Sequence, residues 1–410
     1  MPAAATVSPA RLVAIVCGAQ IFAQIGAYAW PALVPGRIAE WGIDNTDAGW
    51  ITGLFYLAYA VSVPVLVTLT DRIDPKRVYL FGVAVTVIGH VVFATVADGF
   101  WSAASARVLA GVGWAGTYMT GLKLLADRVD ARLMSRAVAG HALSIGLAGA
   151  ASFAFAGIFE DLAGWRSVFW ASAACAAAAW LTVALAAPAQ PPRAEPPTGR
   201  LFDFAPVLRN RSAMAYAVAY CVHTWEMNTL RGWGVAFLVW VAATTGQDPW
   251  LPATAVITLV GLAGTWASVA GNEVSIRLGR QRLVRVAMLA SAGFAAVIGF
   301  LGPFSYGLAV ALILLYGVVI WLDSSSLTAG AAGSAEPGRR GATLAVHSML
   351  GYAGGFVGPL VMGVILDAAG GMSTMGWGLA FLHLTAAMLL GRVAFAVLRP
   401  QALPGDRAAG

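Results

Sequence analysis

AMAYAVAYCVHTWEMNTLRGWGVAFLVWV, residues Ala213–Val241, is long enough and apolar enough at its ends to cross a bilayer as a helix. Its centre nevertheless carries His223, Glu226, Asn228 and Arg231. A charged side chain at mid-membrane costs about 2.5–3.5 kcal/mol or more on insertion scales. Two charges of opposite sign, five residues apart, therefore need a reason. One reading is a binding or proton-handling site facing an aqueous cavity. The other is an ion pair or a polar helix-packing cluster. The first is favoured, because ionisable groups inside membrane spans are functional by default.

The rest of the chain supplies the setting. Of its 410 residues 59% are hydrophobic and 11% charged, and the mean hydropathy is +0.77. A soluble domain has no use for that much apolar surface, so the chain reads as an integral membrane protein. The apolar runs are too long for barrel strands, which leaves helices. About twelve spans follow: 12–33, 48–69, 78–97, 102–125, 137–159 and 167–187, then 213–241, 251–272, 283–301, 306–330, 342–366 and 377–398. Arg11 before a polar-flecked first span, with Gln20 and Gln24, reads as a retained helix rather than a cleaved signal peptide. Cys17, Cys175 and Cys221 each fall inside an apolar run, without metal or disulfide spacing. No cofactor is implied.

Basic residues set the orientation. Of the 25 Lys and Arg residues, all but Arg37, Arg166, Arg107 and Arg231 fall in loops on the side of the N-terminus. Arg37 and Arg166 are on the other side, and Arg107 and Arg231 lie within spans. The asymmetry places both termini in the cytoplasm and supports the span count, since a missed helix would scramble the alternation. The net charge of +6 is spread over short loops, which argues against nucleic acid as a partner.

Pro188, Pro191, Pro192, Pro196, Pro197 and Gly199 form a linker that cannot span. Phe202, Phe204 and Leu208 after it suggest a short interfacial helix. The linker divides the chain into an N-terminal bundle (1–187), a cytoplasmic linker (188–211) and a C-terminal bundle (212–410). The halves echo each other. Arg72-Ile-Asp-Pro-Lys-Arg77 faces Arg277-Leu-Gly-Arg-Gln-Arg282. At one constant offset His141 meets His347, Ala148-Gly149 meets Gly354-Gly355, Gly157 meets Gly363, Asp161 meets Asp367 and Gly164 meets Gly370. The expected fold is an all-α membrane protein, about twelve transmembrane helices in two pseudo-symmetric six-helix bundles, as in many secondary transporters.

Local motifs point the same way. Leu69-Thr-Asp71-Arg72-Ile-Asp-Pro-Lys76-Arg77 is an acidic–basic loop after the second span. Arg107-Val-Leu-Ala-Gly111-Val-Gly113-Trp-Ala115 lies in the fourth, and Gly164-Trp165-Arg166 precedes the sixth. In these the chain resembles the major facilitator superfamily over nearly its whole length. The resemblance implies a cytoplasmic gate at Asp71, Arg72 and Arg77, repeated more weakly at Arg277 and Arg282, that latches against the start of the eleventh span. Val67 and Asp74 stand where that family usually has glycine. The fifth span has Ser144-Ile-Gly146-Leu-Ala-Gly149 where many drug–proton antiporters of the family carry Gly-Pro, and Gly358-Pro359 occurs in the eleventh instead. The mid-membrane arginines of nitrate carriers, in the second and eighth spans, have no counterpart here.

The resemblance also implies that spans one, four, seven and ten line a central cavity, and their interiors are polar. On regular helices, Gln20, Gln24 and Tyr28 share a face, as do Arg107, Gly111, Trp114 and Tyr118, and Tyr316, Asp323 and Ser326. His223 and Glu226 lie within roughly 60° of one another, whereas Glu226 and Arg231 are roughly 140° apart. These two are then not a pair within one helix unless Gly232 or Gly234 breaks it. Gln20, Gln24, Tyr28, Arg107, Trp114, Tyr118, Asn228, Arg231, Tyr316 and Ser326 are the candidate solute contacts. Arg107 either holds an anion or forms a lasting pair with Glu226. Glu226 and Asp323 are candidates for proton coupling, with an Asp323–His347 cluster as a second possibility. The competing view makes His141 and His347 packing residues, beside the small-residue faces Ser144, Ala148, Ser152 and Gly351, Gly354, Gly358.

The expected function is proton-coupled secondary transport of a small polar organic solute, a carboxylate among the candidates, by alternating access in the plasma membrane. A proton-driven exporter of amphipathic drugs or metabolites is the alternative. An enzyme is disfavoured: there is no phosphate loop with lysine and no histidine pair at metal-binding spacing. The expected partners are solute, protons and lipid, and the expected state a monomer.

Overall fold

The computed structural model describes residues 8–126, 129, 131–189, 204–403 and 406. Most of the Pro-rich linker, with Arg193, Arg200 and Phe202, lies outside them, as do Arg128 and Arg407. Among the described residues the chain is nearly all helix and has no strand. The helices of the first half are α1 Pro9–Gln24, α2 Ala29–Trp41, α3 Asn45–Leu69, α4 Pro75–Val96, α5 Phe100–Ala115, α6 Tyr118–Ala126, α7 Ala131–Ala163 and α8 Trp165–Ala186. A single short turn, α9 Ala205–Arg209, stands where an interfacial helix is expected, with Val207 buried and Leu208 exposed. Then come α10 Arg211–Thr245, α11 Ala253–Leu278, α12 Arg280–Leu301, α13 Tyr306–Trp321, α14 Ser324–Gly333, α15 Arg340–Ala368 and α16 Thr374–Leu398.

Among the described residues ten stretches are long and apolar enough to cross a membrane, with α1–α2 counted as one and α13–α14 as another. The two further crossings expected from the sequence are helical but shorter or more polar. The fourth is divided into α5 and α6, and the seventh is α10 with its polar middle.

Caps explain where α10 starts and stops. Asn210 accepts from the Ala213 amide at 3.0 Å, and Gly246 ends the helix with φ 63°, the left-handed geometry that suits glycine. The helix between is continuous over 35 residues, about 52 Å at 1.5 Å per residue. Gly232 and Gly234 do not break it. They provide space: a Cβ at Gly234 would sit 2.6 Å from the Ile257 side chain.

The breaks come elsewhere, at Ile25–Tyr28 between α1 and α2, at Gly116-Thr117 between α5 and α6, and at Leu322-Asp323 between α13 and α14. Backbone freed inside a membrane protein has to be satisfied internally. At the first break Arg107 Nη1 donates to the Ala27 carbonyl at 3.0 Å. The Tyr28 amide there donates to Ser152 Oγ at 2.9 Å.

The chain packs into two compact units. One comprises residues 1–29 and 58–199, the other 30–57 and 200–410. In the first, α1 lies on α7 and α8, and α4 on α5 and α8, around Leu12, Val16, Tyr79, Val83, Leu125 and Val183. In the second, α10 lies on α15, α12 on α16 and α11 on α13, with Tyr216, Val284, Met288, Leu327 and Phe395 at one core.

The α10–α15 contact is close because α15 presents glycine. A Cβ at Gly354 would stand 2.0 Å from the Cys221 carbonyl oxygen, so the small-residue face lets the two backbones touch. Residues 30–57 belong to the second unit through definite bonds. Trp30 Nε1 donates to Thr52 Oγ1 at 3.0 Å. The Asp367 carboxylate, at the end of α15, accepts from the Asn45 and Thr46 amides at 3.2 and 2.7 Å. It also accepts from their side chains, at 2.6 Å each. An acid in that place caps the start of α3. Gly49 and Gly53 of α3 then approach the Pro359 and Phe356 carbonyls.

Candidate functional site

The polar face of α10 meets the broken tenth span. His223 Nδ1 lies 3.0 Å from Asp323 Oδ1, with the two side chains 1% and 2% exposed. The approach of Nδ1 to the oxygen does not meet hydrogen-bond geometry. Asp323 stands at the break itself, as the residue before α14. One turn along α10, Glu226 Oε1 accepts from the Tyr316 hydroxyl at 2.6 Å, with Ser291 of α12 buried nearby. Glu226 Oε2, Asp323 Oδ2 and His223 Nε2 are buried without a hydrogen-bond partner. This places two acids and an imidazole in one buried cluster between α10, α12, α13 and α14.

Other expected pairings fall differently. His347 does not provide the imidazole at Asp323. Its ring stacks on Tyr220 at 4.0 Å between centroids, and its Nε2 lies 3.3 Å from Thr328 Oγ1. Tyr220 also stacks on His223 at 5.7 Å, so the two histidines share one aromatic neighbour. Glu226 and Arg231 go separate ways on the regular helix. Arg231 lies over the Trp321 ring at 4.8 Å, a cation–π contact. Asn228 is buried on the side of α15. Ser326 is buried in α14, and its carbonyl accepts from Arg280.

In the first unit the polar residues of the first and fourth spans are joined at their breaks. Gln24 Nε2 donates to Thr117 Oγ1 at 2.9 Å, and Tyr79 OH donates to Gln20 Oε1 at 3.4 Å. Tyr28 stacks on Phe153 at 5.4 Å and meets Trp114 edge-on at 6.4 Å. Arg107, 1% exposed, is directed at the backbone of the α1–α2 turn. Tyr118 does not share a helical face with Arg107 and Trp114, because the Gly116-Thr117 break begins a new helix before it. It stacks on His141, whose Nε2 contacts the Tyr118 carbonyl oxygen at 2.9 Å. The same correction applies to Tyr316 against Asp323 and Ser326: projection on a regular helix fails across the Leu322-Asp323 break.

The gate residues also differ from the sequence expectation. Asp71 is paired with Lys123 of α6, and Arg72 and Arg77, expected to tie it down, are exposed. Asp74 caps α4 through the Lys76 amide at 2.9 Å, while Lys76 Nζ donates to the Ala184 and Ala187 carbonyls at the end of α8. Arg277 pairs with Glu273 on the surface at 2.8 Å, and Arg282 is exposed. The buried member of that loop is Arg280, which sequence reasoning missed. It donates to Asp406, Asn272 and the Ser326 carbonyl. Its signal was slight, an arginine after Gly279 between two others.

Helices of membrane-spanning length and interrupted spans with buried ionisable groups mark a multi-pass membrane protein. The model of the Major Facilitator Superfamily matches residues 16–359, and the chain belongs to that family. Among curated relatives, an uncharacterized MFS-type transporter, YwoD of Bacillus subtilis, is 35% identical over 99 residues, 23% of this chain and 21% of that protein. The drug efflux pump JefA of Mycobacterium tuberculosis is 31% identical over 144 residues, 35% of this chain and 27% of the relative. The chain thus spans only about a fifth to a third of the length of such relatives. Among solved structures, a bacterial homolog of the human lysosomal transporter Spinster superposes with a TM-score of 0.75 at 14% identity, covering 95% of each chain. The nucleoside transporter NupG gives 0.75 at 14%, covering 94% of this chain and 98% of the other. The human organic anion transporter MFSD10 gives 0.64 at 17%, covering 95% and 100%. At such identities the likeness is one of fold.

Proposed function

We propose that the protein is a proton-coupled secondary transporter of a small polar organic solute, working by alternating access of its two halves in the plasma membrane. The observation that supports this is the buried cluster of His223, Glu226 and Asp323 within membrane spans. Acids in that setting are expensive and persist where they handle ions or solutes. Glu226 and Asp323 are the coupling candidates, with His347 nearby through Tyr220. Within the first unit Gln20, Gln24, Tyr28 and Trp114 offer hydrogen bonds and aromatic walls to a solute. Sequence halves on either side of the 188–211 linker, cytoplasmic termini, a monomeric state and a cytoplasmic gate at Asp71 complete the reading. Arg107 and Arg231 are engaged by Ala27 and Trp321, which weakens the case for a carboxylate solute relative to a neutral or donor-rich one.

A second reading, a proton-driven exporter of amphipathic compounds, draws on the partial match to JefA, named as a drug efflux pump. The test is flux in proteoliposomes with and without a pH gradient, using uridine, p-aminohippurate and ethidium as probes. Gradient-driven accumulation of uridine or p-aminohippurate supports the first reading, and ethidium movement alone supports the second. Flux indifferent to the gradient overturns the proton coupling in both.

A further inference from the structure

The two carboxylates of the cluster are held by different chemistry. Glu226 is bonded by a neutral hydroxyl, Tyr316 at 2.6 Å. Asp323 faces a ring that can itself carry a proton, His223 Nδ1 at 3.0 Å. The other nitrogen of that ring, Nε2, is buried and has no partner. It is thus the open lone pair of the cluster when Nδ1 bears the hydrogen.

We infer that His223 and Asp323 form one proton-carrying unit and that this unit, rather than Glu226, holds the coupling proton; the inference rests on the proton-coupled reading above. With a neutral ring the unit has charge −1. One added proton makes it neutral, an imidazolium against a carboxylate, which removes the net charge that burial penalises. The step is a single transfer: hydronium gives a proton to the Nε2 lone pair and leaves as water, and no other bond changes. Reversal releases the proton on the other side. Asp323 lies on the Leu322-Asp323 break, where the helical ladder is interrupted. A small shift of α14 against α10 therefore makes or opens the contact without unwinding either helix.

The ionisable groups around the unit are few. Tyr220 and Glu226 come from α10 itself, Tyr316 from α13 and His347 from α15. From α12, Arg280 is occupied by Asp406, Asn272 and the Ser326 carbonyl. From α16, His383 is turned to Trp225. Arg231, on the same α10, is over Trp321.

The test uses the full-length protein in lipid nanodiscs and pH-difference infrared spectroscopy, which needs no solute. The expected result is an imidazolium band that grows as pH falls, together with a change in a buried carboxylate band. His223→Asn keeps an N–H donor near the Nδ1 position but cannot take a proton. It should lose both signals, Asp323→Asn the carboxylate part, and Glu226→Gln neither. In proteoliposomes the ratio of gradient-driven accumulation to exchange of the transported probe should fall about tenfold or more in His223→Asn. His223→Gln repeats both measurements should the asparagine variant not fold. Spectra of His223→Asn that superimpose on the parent, or parental accumulation by that variant, overturn the inference and leave His223 a packing group. Loss of the signals in Glu226→Gln with their retention in His223→Asn transfers the role to Glu226 and likewise overturns it. A parent that exchanges a probe yet never accumulates it under a gradient overturns the proton-coupled reading itself, an outcome distinct from these.

Discussion

The fourth and tenth spans occupy matching places in the two halves, and they break at matching residues. Gly116-Thr117 and Leu322-Asp323 stand at the same offset that relates His141 to His347. What meets each break differs. In the first half a neutral amide reaches a neutral hydroxyl, Gln24 to Thr117 at 2.9 Å. In the second an imidazole meets a carboxylate at 3.0 Å, with Glu226 one turn away. Duplication has kept the joint and changed its chemistry. A hydrogen bond between amide and hydroxyl is complete in one protonation state and has nothing to exchange. An acid beside a base has states that differ by a charge, which the neutral joint lacks.

The comparison can be broken most directly by making the second joint like the first. Asp323→Thr should lose gradient-driven accumulation about tenfold or more, equivalent to about 1.4 kcal/mol of coupling, while solute exchange persists. Parental accumulation by this variant would mean that the difference between the joints is decorative. The next largest effect is structural and lies in the first half. Arg107→Ala leaves the Ala27 carbonyl without its buried donor and should cost about 1–3 kcal/mol, read as a lower unfolding temperature in detergent, with Arg107→Lys recovering part. Gln24→Leu removes a single neutral hydrogen bond and should cost about 0.5–1.5 kcal/mol. Its ratio of accumulation to exchange should stay parental; an uncoupled Gln24→Leu protein would show that the neutral joint handles protons as well. Arg277→Ala should do least, under about 0.5 kcal/mol in the same unfolding measurement, because its partner Glu273 is one exposed turn away.

Much of the architecture was legible because the bilayer is a simple solvent. Hydropathy marks the spans, ten of which stand as long apolar helices among the described residues. Contacts between helices were not legible in the same way. The sequence offered glycines at 232 and 234 as the place for a break, but the chain breaks at Gly116-Thr117 and Leu322-Asp323, where no proline announces it. Which imidazole meets Asp323 depends on how α10 and α15 are rotated about their axes, and the sequence pointed to His347, whereas His223 makes the contact. Asp71 found its partner in Lys123, far along the chain, over the arginines beside it, because Lys123 projects from a packed helix and Arg72 and Arg77 face outward. The small-residue faces were the exception. Gly354 and Gly358 already implied a close neighbour, since a helix that gives up side-chain area at regular intervals gains it back only from another backbone.

The bonds between Asp367 and the head of α3 have a consequence in time. Asn45 and Asp367 are 322 residues apart, and synthesis at about 5–20 residues per second separates them by about 15–65 seconds. Through that interval Asn45 and Thr46 have no final acceptor, and Gly49 and Gly53 no carbonyl to lie against. The segment from Trp30 to Leu57 is thus among the first to leave the ribosome and among the last to acquire its neighbours. A slow ribosome lengthens its exposure, and a chain that stalls after the linker never ends it.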